Sequence, residues 1–354
     1  MEEKKPYVAA ILQQSIYASI YILNKAAFND GMSIFVFVFY RQAIGTMLLL
    51  PFAIILERKK APHLSFVTLS KIFMLALLGI TLPSNAYGLA LVYTSATLAA
   101  AITNTLPVIT FFLALVFRME KLRWTVGGVA KAAGMVFCLG GVVVLALYRG
   151  PYFILFHHPL LSSSSQDHNP YSAESWIKGC LLMVACTLCW SLWIVFQARV
   201  LEEYPSKLTF TSVQCLVGAI QSFVVAIALE RNPSQWKLGW NLRMVAVAFS
   251  GSIGSGANYY IQAWLLEKKG PVFQAMWTPA SMILTIFCSM FLLGEIVSLG
   301  SILGGMLLVA SLYSVLWGKR QEQKTNRTDL KDESELNIEA RIRKESSDED
   351  LTGN

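Results

Sequence analysis

Apolar runs long enough to cross a bilayer recur along this chain, parted by short charged or turn-forming stretches. From Ile72 to Phe117 there is no Asp, Glu, Lys or Arg, which leaves room for two crossings and the turn between them. A helix needs ~20 predominantly apolar residues to traverse the hydrocarbon core. By that rule the pattern predicts ten helices, over 7–27, 32–56, 70–91, 95–117, 124–148, 175–198, 207–229, 243–266, 271–293 and 297–317. The fourth carries Asn104 and Pro107 midway, where a purely structural span would have leucine, and ends just before Glu120. The ninth matches it, with Pro279 in its interior and Glu295 just past its end.

That likeness extends along the chain. A shift of 173 positions aligns Asn24 with Gln197, Ser33 with Ser206, Gly45 with Gly218, Glu57 with Glu230, Asn85 with Asn258 and Tyr87 with Tyr260. A shift of 175 then places Glu120 on Glu295. The predicted fold class is therefore an all-α membrane protein of two five-helix repeats, 1–148 and 175–318. An odd number of helices per repeat makes the second copy enter from the opposite side. Inverted repeats of this kind are the common plan of secondary transporters, with the solute site at the midplane between them. The joining segment 149–174 is polar and Ser-rich and reads as an external, flexible linker. The tail 319–354 is dense in both charge signs without an apolar face, the pattern of a disordered segment. Its Ser346-Ser347-Asp348-Glu349-Asp350 run fits either a phosphorylation site or a merely solvated tail.

Composition sharpens the class. The chain is 55% hydrophobic and 14% charged, against about 25% charged in a soluble domain. Its net charge of +7 is not the footprint of a nucleic-acid binder, because topology accounts for it. With a cytosolic N-terminus, the inner loops hold Lys4, Lys5, Arg58, Lys59, Lys60, Arg118, Lys121, Arg123, Arg199, Lys207, Lys268, Lys269, Lys319 and Arg320. The outer loops hold only Arg149, Lys178, Arg231, Lys237 and Arg243. This positive-inside bias places both termini in the cytosol. The first apolar run is too long for a signal-peptide core and lacks a small-residue cleavage site. The six cysteines all fall within predicted spans and define no disulfide framework. Cys186-x-x-Cys189 reads as packing, and His157, His158 and His168 lack a supporting ligand pattern for a metal.

Polar residues inside the spans form stripes at helical spacing. Predicted helix 1 has Gln14, Tyr17, Tyr21 and Asn24 on one face; helix 6 has Trp190, Trp193 and Gln197. Helix 8 presents Gly251, Ser255, Asn258 and Gln262; helix 3 offers Thr81, Asn85 and Gly88; helix 4 has Thr97, Ala101 and Asn104; helix 9 has Gln274, Trp277, Thr278 and Ser281. An amide facing lipid is costly, so these faces should point into the bundle. Interhelical hydrogen bonds account for any one of them; the whole set suits a solute cavity with Tyr17, Trp190 and Trp277 as aromatic walls. Pro83, Pro107 and Pro279 deprive the carbonyls of Gly79, Thr103 and Ala275 of their helical donors, which either face the cavity or mark hinges. Arg41 lies nine residues from the predicted outer end of helix 2, ~14 Å deep, with no acidic residue at that depth. It either binds carbonyls or meets a carboxylate on the solute. Its repeat partner is the neutral Gln214. Glu120 and Glu295 are either proton-coupling groups or solvated helix ends, and Lys25 and Lys131 lie near enough to an interface to snorkel. The spacings Gly300-x-x-x-Gly304 and Ala130-x-x-x-Gly134 favour close packing, within one chain or in a homodimer.

The ordered runs Asn24-Lys25-Ala26-Ala27, Phe39-Tyr40-Arg41, Pro51-Phe52-Ala53, Asn104-Thr105-Leu106-Pro107, Gly270-Pro271-Val272-Phe273, Leu293-Gly294-Glu295 and Leu312-Tyr313-Ser314-Val315-Leu316-Trp317-Gly318-Lys319 resemble the plant nodulin-21-like, walls-are-thin-related transporters. These belong to the EamA branch of the drug/metabolite transporter superfamily. The resemblance covers about residues 7–319. It implies two inverted EamA repeats and movement of small organic solutes, with amino acids and auxin-type indoles as the family's substrates. It also implies a cavity lined by predicted helices 1, 3, 4, 6, 8 and 9. The first repeat ends this region in Phe117-Arg118-Met119-Glu120 rather than Leu-Gly-Glu, which weakens the case for equal roles of the two glutamates.

The expected function is a secondary transporter for a small amphipathic solute, most naturally a carboxylate such as an amino acid or indole acid. Nucleosides or sugars are the related alternative, and a receptor or scaffold is the rival from another class. No catalytic pairing of an intramembrane enzyme is present in the spans. No cofactor is expected beyond an open question of proton coupling. Lipid and the solute are the expected partners, and the plasma and vacuolar membranes both remain open.

Overall fold

The computed structural model describes residues 4–57, 64–93, 101–120, 125–148, 152–153, 173–204, 206–239, 241–292, 297–322 and 325. Helix occupies part of each of the ten predicted segments. We number them α1 (Lys5–Asn29), α2 (Ile34–Glu57), α3 (Phe66–Ala76), α4 (Leu82–Tyr93), α5 (Leu106–Val116), α6 (Val126–Leu147), α7 (Ala173–Glu203), α8 (Lys207–Leu229), α9 (Leu242–Phe249), α10 (Asn258–Met276), α11 (Thr278–Leu292) and α12 (Leu299–Glu322). Six stretches are each long and apolar enough to cross a membrane: α2, Phe66–Ala90, α6, Ile177–Glu203, α8 and α12. A bent pair, Leu242–Met276 with Thr278–Cys288, passes the same test together. Phe66 and Leu147 are 82% and 80% exposed. Together with the six spans, such outward-facing apolar side chains suit lipid surroundings, and the chain is an integral membrane protein.

α2 and α8 run antiparallel at the centre. At one end the Glu57 carboxylate accepts hydrogen bonds from the Ser206 hydroxyl and from Thr209 N and Oγ1 at 2.9 and 3.0 Å, capping the N-terminus of α8. At the other end Gln235 Oε1 accepts from Ser33 N at 3.1 Å, and the Tyr40 hydroxyl donates to Trp236 O at 2.8 Å. The Glu57 end is also where α1 begins, since Tyr7 packs edge-on against Phe273 at 5.5 Å. We call it the N-terminal face.

Two π-helical stretches, Leu77–Thr81 and Ser250–Ala257, begin 173 residues apart. Each packs on a glycine of the other half of the chain. A Cβ on Gly218 would come within 3.2 Å of Ile80, and one on Gly45 within 2.8 Å of Ser255. Ile20 covers Gly254 as Trp193, 173 positions later, covers Gly79. α6 and α12 pack equally tightly: Gly127 against Gly318, Gly134 against Val315 and Gly141 against Gly304. Gly134 and Gly304, one from each small-residue spacing read in the sequence, thus pack within the chain across the α6–α12 contact.

Four details correct the sequence reading. Pro107 and Pro279 are not interior prolines. Each is the second residue of a helix, after turns at Asn104–Thr105 and at Trp277, where proline lacks no bond the helix would have made. Lys131 does not snorkel: it is fully buried and ion-paired. Part of the predicted linker is tied down, with Tyr152–Phe153 pairing antiparallel to Val297–Ser298. α12 runs on to Glu322, past the expected start of the tail. Gly270, at φ 79°, makes the break between the eighth and ninth predicted helices where expected. Thr97, Glu295, the histidines of the linker and residues 326–354 lie outside the described residues, as does the side chain of Lys25.

Candidate functional site

Buried amides from three helices join where α1, α7 and α10 converge. Gln274 Nε2 donates to Gln13 Oε1 at 2.9 Å, and Gln13 Nε2 donates to Gln262 Oε1 at 3.5 Å. Gln262 Oε1 also accepts from the Tyr17 hydroxyl at 3.1 Å, and its Nε2 donates to Gln197 Oε1 at 3.0 Å. Gln262 is therefore the hub of a seam that joins the first half of the chain to the second. Residues on one face of a helix recur every three or four positions, so Gln13 and Tyr17 on α1 reach the same partner. The seam is incomplete, since Gln197 Nε2 and Gln274 Oε1 are buried without hydrogen-bonding partners. Asn258, fully buried, lies beside the Tyr17 hydroxyl.

Arg41 lies seven residues into α2, ~10 Å from its start at 1.5 Å per residue. Its Nη2 approaches Ser84 Oγ at 3.5 Å and the Tyr259 hydroxyl at 3.4 Å, both at the outer limit of a hydrogen bond, and its Nε has no partner. Gln42 Nε2 shares the Tyr259 hydroxyl at 3.5 Å. Tyr17 and Tyr21 lie within electrostatic reach of the guanidinium. Among the described residues no carboxylate pairs with Arg41.

An aromatic wall leads away from it. Tyr259 packs edge-on against Trp193 at 5.7 Å, Trp193 covers Gly79, and Trp190 Nε1 donates to Gly79 O at 3.1 Å. The last bond explains Pro83. With no N–H at residue 83 to meet the Gly79 carbonyl, the helix widens into a π turn and an indole from another helix supplies the missing donor. Asn85 Nδ2 donates to Thr81 O at 2.7 Å in the same turn. Tyr87 lies 6.2 Å from Trp190.

The remaining predicted residues sit apart. Asn24 Oδ1 accepts from Ser250 Oγ at 3.0 Å. Asn104 donates to Met282 Sδ at 3.0 Å, while its own carbonyl accepts from Cys138 at 3.3 Å. Trp277 packs on Phe273 at 6.1 Å with its Nε1 buried and unpartnered. Glu120 follows a left-handed Arg118 (φ 57°), where Met119 N bonds Ala114 O at 2.8 Å and closes α5. It lies in an ionic cluster, 2.7 Å from Lys131 and 3.3 Å from Lys319, while Lys131 also pairs with Glu322. Burial raises the Glu120 pKa, but Lys319 and Lys131 outweigh it and hold the carboxyl below its ordinary range.

Sequence reasoning passed over Gln13, Gln42, Ser84 and Tyr259. Gln13 and Gln14 are both buried amides on α1, and a stripe drawn through Tyr17 at four-residue spacing selects Gln13. Among the described residues no group of three or more His, Cys, Asp or Glu is placed to hold a metal ion.

Comparison with known proteins agrees with this architecture. The EamA-like transporter family matches twice, over residues 4–147 and 177–317. A WAT1-related protein of Arabidopsis thaliana is 52% identical over 95% of this chain and 97% of its own length. A second is 44% identical over 92% and 95%. Protein WALLS ARE THIN 1 of the same plant is 37% identical over 91% of this chain and 85% of its own. A solved crystal structure superposes with a TM-score of 0.63 at 18% identity, over 90% of this chain and 98% of the other, a likeness of fold. Helix content, apolar spans, the doubled family match and these relatives agree: the chain belongs to the EamA-like transporter family, among its walls-are-thin-related members.

Proposed function

We propose that the chain is a secondary transporter moving a small amphipathic carboxylate, an amino acid or auxin-like indole acid, by alternating access. In this reading ten spans form two inverted repeats and the N-terminal face is cytosolic. The observation that carries it is Arg41. A cation near the midplane costs ~2.5–3.5 kcal/mol on insertion scales, yet this one has two long hydrogen bonds, a free Nε and no described carboxylate. A solute carboxylate would complete it as a charge-assisted pair. Tyr259 contacts the guanidinium, Tyr17 and Tyr21 lie within its electrostatic reach, and Trp193 extends the aromatic wall toward Trp190.

The amide seam lies on the cytosolic side of Arg41 and holds α1, α7 and α10 together below it. Gln197, Gln262 and Gln274 contact the solute when the seam parts. Asn85, Asn258 and Trp190 complete the lining; Asn24, Asn104 and Trp277, which sit apart in this structure, join it as the helices move, with hinges at the breaks before Pro107 and Pro279 and at the π turn of Pro83. The test is thermal stabilisation of the purified protein by amino acids, indole acids, nucleosides and sugars, for wild type and Arg41→Gln together. Saturable stabilisation by a carboxylate, weakened in the variant, is expected. Equal stabilisation of both by an uncharged solute would make Arg41 structural and favour a nucleoside or sugar carrier.

A further inference from the structure

Gln214 on α8 is fully buried, and neither its Oε1 nor its Nε2 has a hydrogen-bonding partner among the described residues. A primary amide left unmet in this way forfeits its hydration with nothing in return. Its position gives the waste a meaning. Gln214 is 173 residues after Arg41, so it is the same place in the second copy. Arg41 stands four residues before Gly45, at the middle of α2, and Gln214 four before Gly218, at the middle of α8. Because the two helices are antiparallel, the two side chains flank the midplane from opposite sides, each ~6 Å from it along its helix.

Their helices also border one wall. One turn beyond Gln214, Gly218 lies against Ile80 in the first π turn, and Gln221 bonds Thr81 Oγ1 at 2.8 Å and Phe73 O at 3.1 Å. That π turn is covered by Trp193, which reaches Tyr259 and through it Arg41. Cys215, the next residue, donates to Ser255 O at 3.4 Å, on the π turn that packs against α2.

We propose that Gln214 is a second solute-binding residue, the neutral counterpart of Arg41. It takes the uncharged hydrogen-bonding end of an amphipathic carboxylate whose anionic end meets the guanidinium. An amide offers two donors and one acceptor oxygen, which suits a ring N–H, hydroxyl or amide on the solute. This inference rests on the carboxylate reading above. The asymmetry also has a use: a charged residue on the outer side captures the anion, and a neutral one on the inner side does not hold it.

The experiment compares wild type, Arg41→Gln, Gln214→Met and Gln214→Asn by thermal stabilisation with indole-3-acetate and tryptophan. Gln214→Met, nearly isosteric, should melt at or above the wild-type temperature without solute, because it removes an unmet amide. It should raise the half-saturating concentration about tenfold, the usual effect of losing a solute hydrogen bond. Gln214→Asn should fall between. If Gln214→Met binds as wild type does while Arg41→Gln does not, the inference fails and the carboxylate reading stands. If Gln214→Met melts lower without solute, the amide is held by the protein and the inference is overturned. If neither carboxylate stabilises wild type, the carboxylate reading falls and takes Gln214 with it.

Discussion

Four positions toward the N-terminal face, Gln13, Tyr17, Gln197 and Gln262, have counterparts 173 residues away in Cys186, Trp190, Asn24 and Leu89. The first set bonds side chain to side chain around Gln262, with Gln13 and Tyr17 reaching it from the first half of the chain and Gln197 from the second. In the second, Trp190 and Cys186 donate to backbone, at Gly79 O and Pro83 O. Asn24 accepts from Ser250, and Leu89 is 40% exposed. One side is thus joined by amides bonded to one another, the other by donors to the backbone carbonyls of Gly79, in a π turn, and of Pro83, just after it. Positions aligned by the 173-residue register need not do equivalent work.

The sharpest way to break this contrast is Gln262→Leu. It leaves Gln13, Tyr17 and Gln197 facing a methyl group, at ~1–3 kcal/mol for each buried group left unmet. A total loss of about 3 kcal/mol or more is expected in thermal denaturation of detergent-solubilised protein. Gln13→Leu with Gln262→Leu should cost less than the sum of the two, because they share partners. Leu89→Ala at the mirrored position should cost well under 1 kcal/mol, as changes at half-exposed positions do. Equal losses at 262 and 89 would end the comparison.

On the other side, Gly79→Ala sets a Cβ within 2.2 Å of the Trp193 ring. Overpacking of this kind costs about 2 kcal/mol, and tryptophan fluorescence should report the displaced indole alongside the lower melting temperature. Trp190→Phe keeps the ring but strands the Gly79 carbonyl, for about 1 kcal/mol. The smallest effect near neutral pH belongs to Glu120. Its carboxyl titrates lower folded than unfolded, so its contribution is complete above the ordinary value of 4.5 and is lost as pH falls through the depressed one. Melting temperature should be insensitive to this group from pH 7 to 5 and fall below that, and Glu120→Gln should flatten the fall.

Much of the frame was legible from the chain. The break at Gly270, the run of apolar segments and the 173-residue register follow from composition and self-similarity. The site was legible only in part. Stripe spacing found Tyr17, Gln197 and Gln262, but chose Gln14 over Gln13, because neighbours on a helix point ~100° apart and both are buried. It read Pro107 as interior to a span, because apolarity records contact with lipid and says nothing of where backbone hydrogen bonds stop. It took Lys131 for a snorkelling lysine, because Glu120 and Glu322, which neutralise it, arrive from the turn after α5 and from α12.

The sequence by itself determined that this is a membrane protein of the EamA-like family with a duplicated plan, since lipid contact and duplication leave their marks residue by residue. Tertiary structure alone decided which amides bond one another, that an indole replaces the donor Pro83 lacks, and that Arg41 and Gln214 are left unmet. Those outcomes depend on distances between residues far apart in the chain, and a hydrogen bond or an ion pair exists only within a few ångströms.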